Sequence, residues 1–214
     1  MPATNHRSTS DVLLALVREF AGERISIQDI INGLGERSFG FVLLLFGLLS
    51  AVAPPGVATF TAMPLMFFGL QMLAGYATPW LPDFIAKRDM TRGDLQKTLE
   101  RGVPIMQRIE RFCRPRYLFL IGSTGERLLG LLVFVLAVVI ALPGPLTNGP
   151  PGLAIAFMSI AIIERDGLLV LAGVLASCVA LYLGYLGLHL FIDHVVPAAW
   201  EFLVSTWALI VGGA

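Results

Sequence analysis

Two short stretches, about ninety residues apart, organise the sequence: Gly-Glu-Arg-Ser-Phe-Gly at residues 35–40 and Gly-Glu-Arg-Leu-Leu-Gly at residues 125–130. Each stretch is followed by an apolar arm, a break rich in proline and a second apolar arm. This fixed order of charge, arm, break and arm predicts an internal duplication. The match is close at the two motifs and looser after the prolines, where a small gap is needed.

The arms of both copies are short for membrane-spanning helices. They cover residues 41–53 and 61–76 in the first copy and residues 131–142 and 152–163 in the second. A spanning helix needs about 20 apolar residues to cross roughly 30 Å of hydrocarbon, and each arm has only about 12 to 16. Two structures fit this length. One is a re-entrant hairpin that turns inside the protein at membrane depth, and the other is a pair of thin or tilted spanning helices joined by an outside loop.

The composition is that of an integral membrane protein. Of the 214 residues, 56% are hydrophobic and 14% are charged, whereas about 25% of the residues in a soluble domain are charged. Cys113 lies in a basic segment and Cys178 in an apolar helix, so the cysteines favour neither a disulfide nor a metal site. The three histidines are scattered, and we expect no metal and no cofactor.

We therefore expect an all-α integral membrane protein with one membrane domain. Ser26 is predicted to cap a helix that begins at Ile27, and Gly35 is predicted to end it. Asp193 and His194 are predicted to form a polar turn between the last two helices. The domain, residues 1–214, has five predicted segments: N-terminal amphipathic helices (10–38), hairpin repeat 1 (39–76), a basic amphipathic cytoplasmic segment (77–118), hairpin repeat 2 (125–163) and a C-terminal pair of transmembrane helices (168–211).

The basic segment between the hairpins sets the expected topology. Residues 83–116 hold nine of the fifteen Lys and Arg residues and five acidic ones, which places this segment in the cytoplasm. Both hairpins would then enter from that face as parallel repeats, whereas an inverted repeat requires a further crossing between the copies. The segment is either a solvated loop or a surface that contacts anionic lipid head groups. The candidate lipid contacts are Arg108, Arg111, Arg114 and Arg116.

Charged pairs at the mouths of the arms are the main candidates for a functional site. Charges near hydrocarbon are costly and commonly face a bundle interior or a cavity, so the two Glu-Arg pairs could face one shared pocket. In the alternative interpretation, each Glu begins a helix while each Arg reaches to the interface. The candidate ligand or transport residues are Glu36, Arg37, Glu126, Arg127, Pro54, Pro55, Pro143, Pro145, Asn148, Glu164, Arg165 and Asp166.

The proline breaks are included because exposed backbone at broken helices binds ions and polar ligands; the alternative is a turn whose polar groups are already satisfied. The sequence contains no nucleophile elbow, phosphate-binding loop or metalloprotease helix. We therefore expect no catalytic residues and no enzymatic activity. Nucleic-acid binding is not expected either, because the basic segment lies between membrane segments and lacks interleaved aromatic residues.

These motifs resemble the ExoD family of exopolysaccharide synthesis proteins. The resemblance runs from about residue 11 to residue 190 and rests on residues 25–40, the Pro-Gly break, Pro-Trp-Leu-Pro at 79–82, Gly-Glu-Arg at 125–127 and Glu-Arg-Asp-Gly-Leu at 164–168. It implies a multi-pass protein of the bacterial inner (cytoplasmic) membrane that is tied to exopolysaccharide production. In rhizobial members it also implies a link to alkali tolerance and nodule invasion.

The expected function is that of a transporter- or channel-like protein for a small ion or polar solute. The motivation is the duplicated broken-helix hairpin with charged mouths. The alternative is a non-transporting membrane scaffold of the polysaccharide synthesis machinery, with a lipid-modifying enzyme as a third hypothesis. Membrane lipids are the expected partners, and a homo-oligomer and polysaccharide synthesis proteins are further candidates.

Overall fold

The computed structural model describes residues 24–54, 56–91, 93, 96, 100, 103, 104, 106–108 and 121–212. The regular structure in these ranges is helical apart from two three-residue strands. The elements are β1 (Arg24–Ser26), α1 (Ile27–Leu34), a 3₁₀ turn (Gly35–Arg37), α2 (Ser38–Val52), α3 (Val57–Ala74), α4 (Asp83–Ala86), β2 (Asp89–Thr91), α5 (Ser123–Ala141), α6 (Gly149–Glu164), α7 (Gly167–Leu190), a π-helical turn (Phe191–Val195) and α8 (Val196–Gly212).

Four helical stretches in the described part of the chain are long and apolar enough to cross a membrane: Ile27–Val52, Val57–Ala74, Ser123–Ala141 and Gly167–Trp207. Helix α6 is a shorter apolar helix. This architecture is consistent with a membrane protein and agrees with the predicted all-helical class. The predicted amphipathic helix before Arg24 lies outside the described residues.

Helix α1 begins and ends where local rules predict. The Ser26 hydroxyl accepts the backbone N–H of Asp29, and the Asp29 carboxylate accepts the backbone N–H of Ser26, which completes a capping box. Gly35 ends the helix with a positive φ of 56°. Strand β1 pairs antiparallel with β2, with Arg24 opposite Thr91. This short ladder ties α1 to the segment that follows α3.

All four arms are longer helices than the sequence predicts. Helix α2 has 15 residues, α3 has 18, α5 has 19 and α6 has 16. In the second copy, the helix already begins at Ser123, so the Gly-Glu-Arg motif forms part of its first turns. At 1.5 Å per residue, α3 and α5 are about 27 to 29 Å long, close to the hydrocarbon thickness. Helices α3 and α5 are therefore long enough to span, and both alternatives for the hairpins stay open.

The arms pack mainly across the two copies rather than within each copy. Helix α2 packs most extensively against α6, and α3 against α5. A Cβ added to Gly47 would lie 3.1 Å from the carbonyl oxygen of Gly152, and one added to Gly130 would lie 2.8 Å from that of Gly69. Such close approach requires small residues, as in other membrane helix pairs. We call α2 with α6 the first cross-pair and α3 with α5 the second cross-pair.

The helices that pack against each other in this four-helix bundle, namely α2 with α6, α3 with α5, and the two helices of each hairpin, are antiparallel, which fixes where their ends lie. Helices α2 and α3 contact each other through a 2.6 Å hydrogen bond between Ser50 Oγ and Thr61 Oγ1, and through the rings of Phe46 and Phe68, whose centroids are 6.3 Å apart. The N-termini of α2 and α5 therefore share one end of the bundle with the C-termini of α3 and α6. We call this the charged end, and the opposite end, which contains both breaks, the break end.

The centre of the bundle is a closed apolar core. Leu43, Leu65, Val133, Leu136 and Ile155 have no solvent-exposed surface, and they come from all four arms. Packing of this kind leaves no polar path through the centre in this conformation. Any conduction along the bundle axis therefore requires the arms to move.

The chain does not reverse after α7. The π-helical turn keeps right-handed helical backbone at Leu190, Phe191 and Val196, and Val196 donates its N–H to the carbonyl of Phe191. The predicted polar turn is therefore wrong, and the predicted C-terminal pair of helices (168–211) forms one continuous helical stretch instead. Pro197 has no N–H to donate to the carbonyl four residues earlier, and its ring crowds that carbonyl. The helix accommodates this by widening into a π-helical turn, a known response to such crowding.

Candidate functional site

The first Glu-Arg motif contacts the end of α6 at the charged end. It forms the 3₁₀ turn before α2, and the Glu36 carboxylate makes an ion pair with the Arg165 guanidinium. The two side chains are 56% and 37% exposed, so the pair adds little to stability. Its geometric effect is larger, because it joins the start of α2 to the end of its cross-pair partner.

Arg165 and Asp166 form a tight junction between α6 and α7. Arg165 adopts a left-handed conformation with φ 53°, and its N–H caps the carbonyls of Ala161 and Ile162. This conformation is uncommon for a residue other than glycine. Asp166 is buried and accepts the N–H of Leu168 at 2.9 Å, so it caps α7. The predicted turn at residues 164–166 thus combines two helix caps with an ion pair.

The second Glu-Arg motif contacts the end of α3. The guanidinium of Arg127 lies so close to Gly75 that a Cβ at residue 75 would be 2.8 Å from Arg127 Nη2. Gly75 ends α3 with φ 87°, and a cation at this position faces the negative end of the helix dipole. Arg127 therefore joins the start of α5 to the end of its own cross-pair partner. Whether the two Glu-Arg motifs also face one shared pocket stays a prediction.

The two helix breaks meet at a cavity of about 440 Å³ at the break end. Gly56 and Thr59 line it from the first copy, and Pro143, Pro145 and Asn148 line it from the second. Phe191 and Val195 of the π-helical turn complete the wall. Of the break residues predicted as candidates, Pro143, Pro145 and Asn148 lie together here. Pro54 lies outside the lining, and Pro55 lies outside the described residues.

Local hydrogen bonds hold both breaks in shape. The buried Thr147 hydroxyl contacts the carbonyls of Leu142 at 3.0 Å and Gly144 at 2.7 Å. In the first break, the Pro54 carbonyl accepts the N–H groups of Val57 and Ala58. The breaks are therefore satisfied turns that also form the wall of a cavity. Binding of an ion or polar ligand at the breaks stays a prediction.

A second, larger cavity was not predicted from the sequence. It has a volume of about 760 Å³ and opens between α2 and α3, beneath α1 and the loop that follows α3. Its lining is apolar apart from Ser38, whose hydroxyl donates to the Gly35 carbonyl. We call it the lateral groove. The apolar face of α1 was visible in the sequence, but the sequence does not show that α2 and α3 leave a groove between them at the charged end. The groove residues are Ile27, Ile30, Ile31, Leu34, Ser38, Phe41, Val42, Leu45, Phe46, Met63, Pro64, Phe67, Phe68, Leu81 and Pro82.

Of the four arginines predicted to contact lipid, only one lies within the described residues, and it lines neither cavity. Arg108 is exposed, while Arg111, Arg114 and Arg116 lie outside the described residues. Within the described ranges, no group of three or more His, Cys, Asp or Glu residues is placed to hold a metal ion.

A protein-family comparison matches most of the sequence to a known family. The family described as "Exopolysaccharide synthesis, ExoD" matches residues 9–186. The chain belongs to the ExoD family. Protein ExoD of Rhizobium meliloti is 33% identical to it over 175 residues, which are 79% of this chain and 72% of that protein. An uncharacterized protein of Synechocystis sp. is 28% identical over 163 residues, which are 75% of this chain and 77% of that one. No solved structure matches the chain significantly.

The ExoD match includes most of the candidate site. It contains both Glu-Arg motifs, the junction at residues 164–166 and both breaks. The π-helical turn and α8 lie beyond its end, so one wall of the break-end cavity comes from outside the ExoD-matched region. The resemblance predicted from the motifs is confirmed, and with it the link of the family to exopolysaccharide synthesis.

Proposed function

We propose that this protein is a multi-pass protein of the bacterial inner membrane that moves a small ion or polar solute in support of exopolysaccharide synthesis. The observation that carries the proposal is the break-end cavity, where the turns of the two helical hairpins meet in an apolar bundle. Thr59 and Asn148 supply polar groups there, and helix ends with exposed backbone at membrane depth are typical of ion and solute sites.

Contacts at a constant spacing support the proposed internal duplication. A Cβ at Gly40 would lie 2.9 Å from the carbonyl oxygen of Ser159, and a Cβ at Gly130 would lie 2.8 Å from that of Gly69. Both glycines and both carbonyls are ninety positions apart in the chain. Each contact is therefore the counterpart of the other when the two copies are exchanged.

The ends of α3 and α6 keep the same spacing. Gly75 and Arg165 are also ninety positions apart, and both are left-handed residues that cap a helix. The alignment of the two copies therefore returns to a spacing of ninety residues before these helices end, despite the small gap after the prolines. This regularity supports two equivalent hairpins whose charged mouths face the same side, as in a parallel repeat.

The cross-pairs suggest how such a protein would move. Each break joins one cross-pair to the other, because the first links α2 to α3 and the second links α5 to α6. The contacts of Glu36 with Arg165, and of Arg127 with Gly75, lie within a cross-pair. We infer that each cross-pair moves as a unit, with the breaks as hinges, and that this motion opens the closed core beside the cavity.

The proposed orientation places the charged end at the cytoplasmic face. The Lys- and Arg-rich segment follows α3 at that end, as the distribution of positive charge requires. Helices α2 and α6, at about 22 to 24 Å, are shorter than the hydrocarbon layer. We therefore place the break end just inside the periplasmic face, where the hydrogen bonds of Thr147 and Pro54 satisfy the backbone. This is the form with thin or tilted spanning helices, as a multi-pass protein requires.

Ion or solute flux into proteoliposomes tests the function. Thr59→Val combined with Asn148→Leu removes the polar groups of the cavity, whereas Ser205→Ala removes a hydroxyl on α8 that does not line it. We expect wild type and Ser205→Ala to carry a flux of at least one of H⁺, Na⁺, K⁺ or a small sugar. In the double variant this flux should be at least tenfold lower, and the variant should fail to restore exopolysaccharide in a deletion strain.

A non-transporting scaffold is the alternative, and α8 favours it. Helix α8 exposes Trp200, Phe202 and Trp207, and among the described elements it packs closely only against the adjoining π-helical turn. The flux experiment separates the two functions. If no flux of any tested solute is detected and the double variant restores exopolysaccharide fully, the protein acts as a scaffold.

A further inference from the structure

We propose that the lateral groove binds one hydrocarbon chain of an anionic phospholipid, whose phosphate lies at Arg88. The inference is independent of the solute proposed above, because the groove opens between α2 and α3 on the side of the bundle, away from the break-end cavity.

The groove has the size and lining of a site for one lipid chain. Its volume of about 760 Å³ lies within the usual range of ligand pockets, about 300 to 1,000 Å³. Phe41, Val42 and Phe46 line it from α2, and Met63 and Phe67 line it from α3. A polar ligand would lose its hydrogen bonds in these surroundings, whereas a hydrocarbon chain would lose none.

The loop after α3 closes the end of the groove nearest the charged end, and hydrogen bonds fix this loop in position. Gln71 is buried on α3 and fixes the loop after that helix, because its Oε1 accepts the N–H of Trp80 at 2.7 Å and its Nε2 donates to the Trp80 carbonyl at 3.1 Å. This clamp holds Leu81 and Pro82 over the end of the groove. The Trp80 ring is half exposed and packs edge-on against Phe67, with centroids 6.0 Å apart. Trp in such a position marks the head-group level.

Arg88 places a positive charge near this end of the groove. The carbonyl of Arg88 accepts the N–H of Ile27 at 3.1 Å, and Ile27 begins the helix that roofs the groove. The side chain of Arg88 is exposed, and its neighbour Lys87 is paired with Asp83 at 2.6 Å. A lipid chain in the groove would bring its phosphate to the level of Arg88, and guanidinium groups bind phosphate well. A zwitterionic head group carries the same phosphate but also a cation, which the positive charge of Arg88 would repel, so we assign an anionic head group.

The site has a consequence for the motion of the bundle. Helix α2 belongs to the first cross-pair and α3 to the second, so a chain in the lateral groove lies between the two units. Bound lipid would hold α2 and α3 apart at the charged end. Closing of that end would then require the lipid chain to leave.

Native mass spectrometry of the full-length protein tests the site. The protein is reconstituted in vesicles of equal phosphatidylglycerol and phosphatidylcholine with matched chains, extracted in mild detergent and then activated to strip loosely held lipid. We expect wild type to retain one phosphatidylglycerol with at least fivefold preference over phosphatidylcholine. Val42→Trp and Leu45→Trp, which fill the groove, should each lower retention at least fivefold, while Leu175→Trp on the exposed face of α7 should not.

The head-group assignment has its own variants. Arg88→Gln should retain a lipid but lose the preference for phosphatidylglycerol, whereas Arg88→Lys, which keeps the positive charge of this exposed side chain, should keep most of the preference. Size-exclusion profiles of all variants must match wild type. The proposal is overturned if wild type retains no lipid after activation, if both groove-filling variants retain it as wild type does, or if Arg88→Gln keeps the preference.

Discussion

Single residues at the charged end show how little room the bundle has for substitution. Gly75 meets two requirements, since it ends α3 in a left-handed conformation and its missing side chain makes space for Arg127. Gly35 also has a positive φ, 56°, but nothing lies within 4 Å of the Cβ it lacks. The two glycines therefore separate the cost of backbone conformation from the placement of Arg127.

Substituting these two glycines by alanine should have different effects on function. Gly35→Ala and Gly75→Ala should each lower the free energy of unfolding by about 1 to 3 kcal/mol, because both force alanine into a backbone conformation with positive φ. Only Gly75→Ala displaces Arg127, so only this variant should reduce exopolysaccharide in a complemented deletion strain. Thermal unfolding in detergent and the exopolysaccharide yield check the two parts. Equal yields from both variants at equal protein levels would show that the position of Arg127 is unimportant.

The ion pair between Glu36 and Arg165 predicts a rescue by charge exchange. Glu36→Arg or Arg165→Glu alone places like charges together at the junction of α2 with α6 and should lower exopolysaccharide. The exchanged double variant should recover most of it. The change in unfolding free energy should stay below about 1 kcal/mol, since the pair is exposed. Absence of recovery in the double variant would assign the individual charges, rather than their pairing, to the function.

At the scale of helices, the crossing of α2 and α6 depends on backbone contact. A Cβ on Gly152 would lie 2.7 Å from the backbone nitrogen of Ala51 and 2.8 Å from the carbonyl oxygen of Gly47. These are backbone atoms, so they cannot move aside as the end of a side chain can. Gly149, at the start of the same helix, has only one atom within 4 Å of its Cβ position, the carbonyl oxygen of Ala51 at 3.8 Å.

The matched variants Gly152→Ala and Gly149→Ala test this crossing. Gly152→Ala should lower the free energy of unfolding by about 1 to 3 kcal/mol, as overpacking does. Gly149→Ala should leave the free energy of unfolding unchanged or raise it slightly, because alanine favours a helix over glycine. The midpoint of thermal unfolding in detergent is the measurement. A loss of stability in Gly149→Ala as large as in Gly152→Ala would contradict the close packing of this pair.

The start and end of a helix could be predicted from the sequence, whereas the pairing of helices in the bundle could not. The cap at Ser26 and the stop at Gly35 depend on residues three or fewer positions from the helix ends, so spacing alone predicts them. The pairing of α2 with α6 depends on Gly47 and Gly152, which lie more than one hundred positions apart and resemble any glycines in apolar segments. The π-helical turn was missed because Asp193 and His194 resemble a polar loop, whereas the deciding residue, Pro197, widens the helix without ending it.

The molecule as a whole consists of two cross-pairs joined by two hinges. Ser50 and Thr61 lie on either side of the first hinge, with their hydroxyl oxygens 2.6 Å apart. The two positions belong to different cross-pairs, and both are buried. A covalent bond here would join α2 to α3 next to the break and would limit the motion proposed for transport.

A disulfide between these positions should block the proposed transport reversibly. In a background in which Cys113 and Cys178 are replaced by serine, Ser50→Cys with Thr61→Cys should form a disulfide when an oxidant is added, because the side chains already touch. We expect oxidation to reduce flux in proteoliposomes at least tenfold and a reductant to restore it. Ser50→Cys alone controls for oxidation of a single thiol. Full flux in the oxidised double variant would mean that α2 and α3 do not move apart near the first break.

The exchange of partners between the two copies also sets the order of events while the chain is being made. Helix α2 leaves the ribosome almost one hundred residues before α6, its main partner, and at about 5 to 20 residues per second this is a delay of roughly 5 to 20 s. During this time the glycine face of α2 is bare in the membrane, and so is that of α3 until α5 arrives. A slow pause between residues 76 and 123 would lengthen this vulnerable period, so nascent chains halted there are the expected targets of membrane proteases.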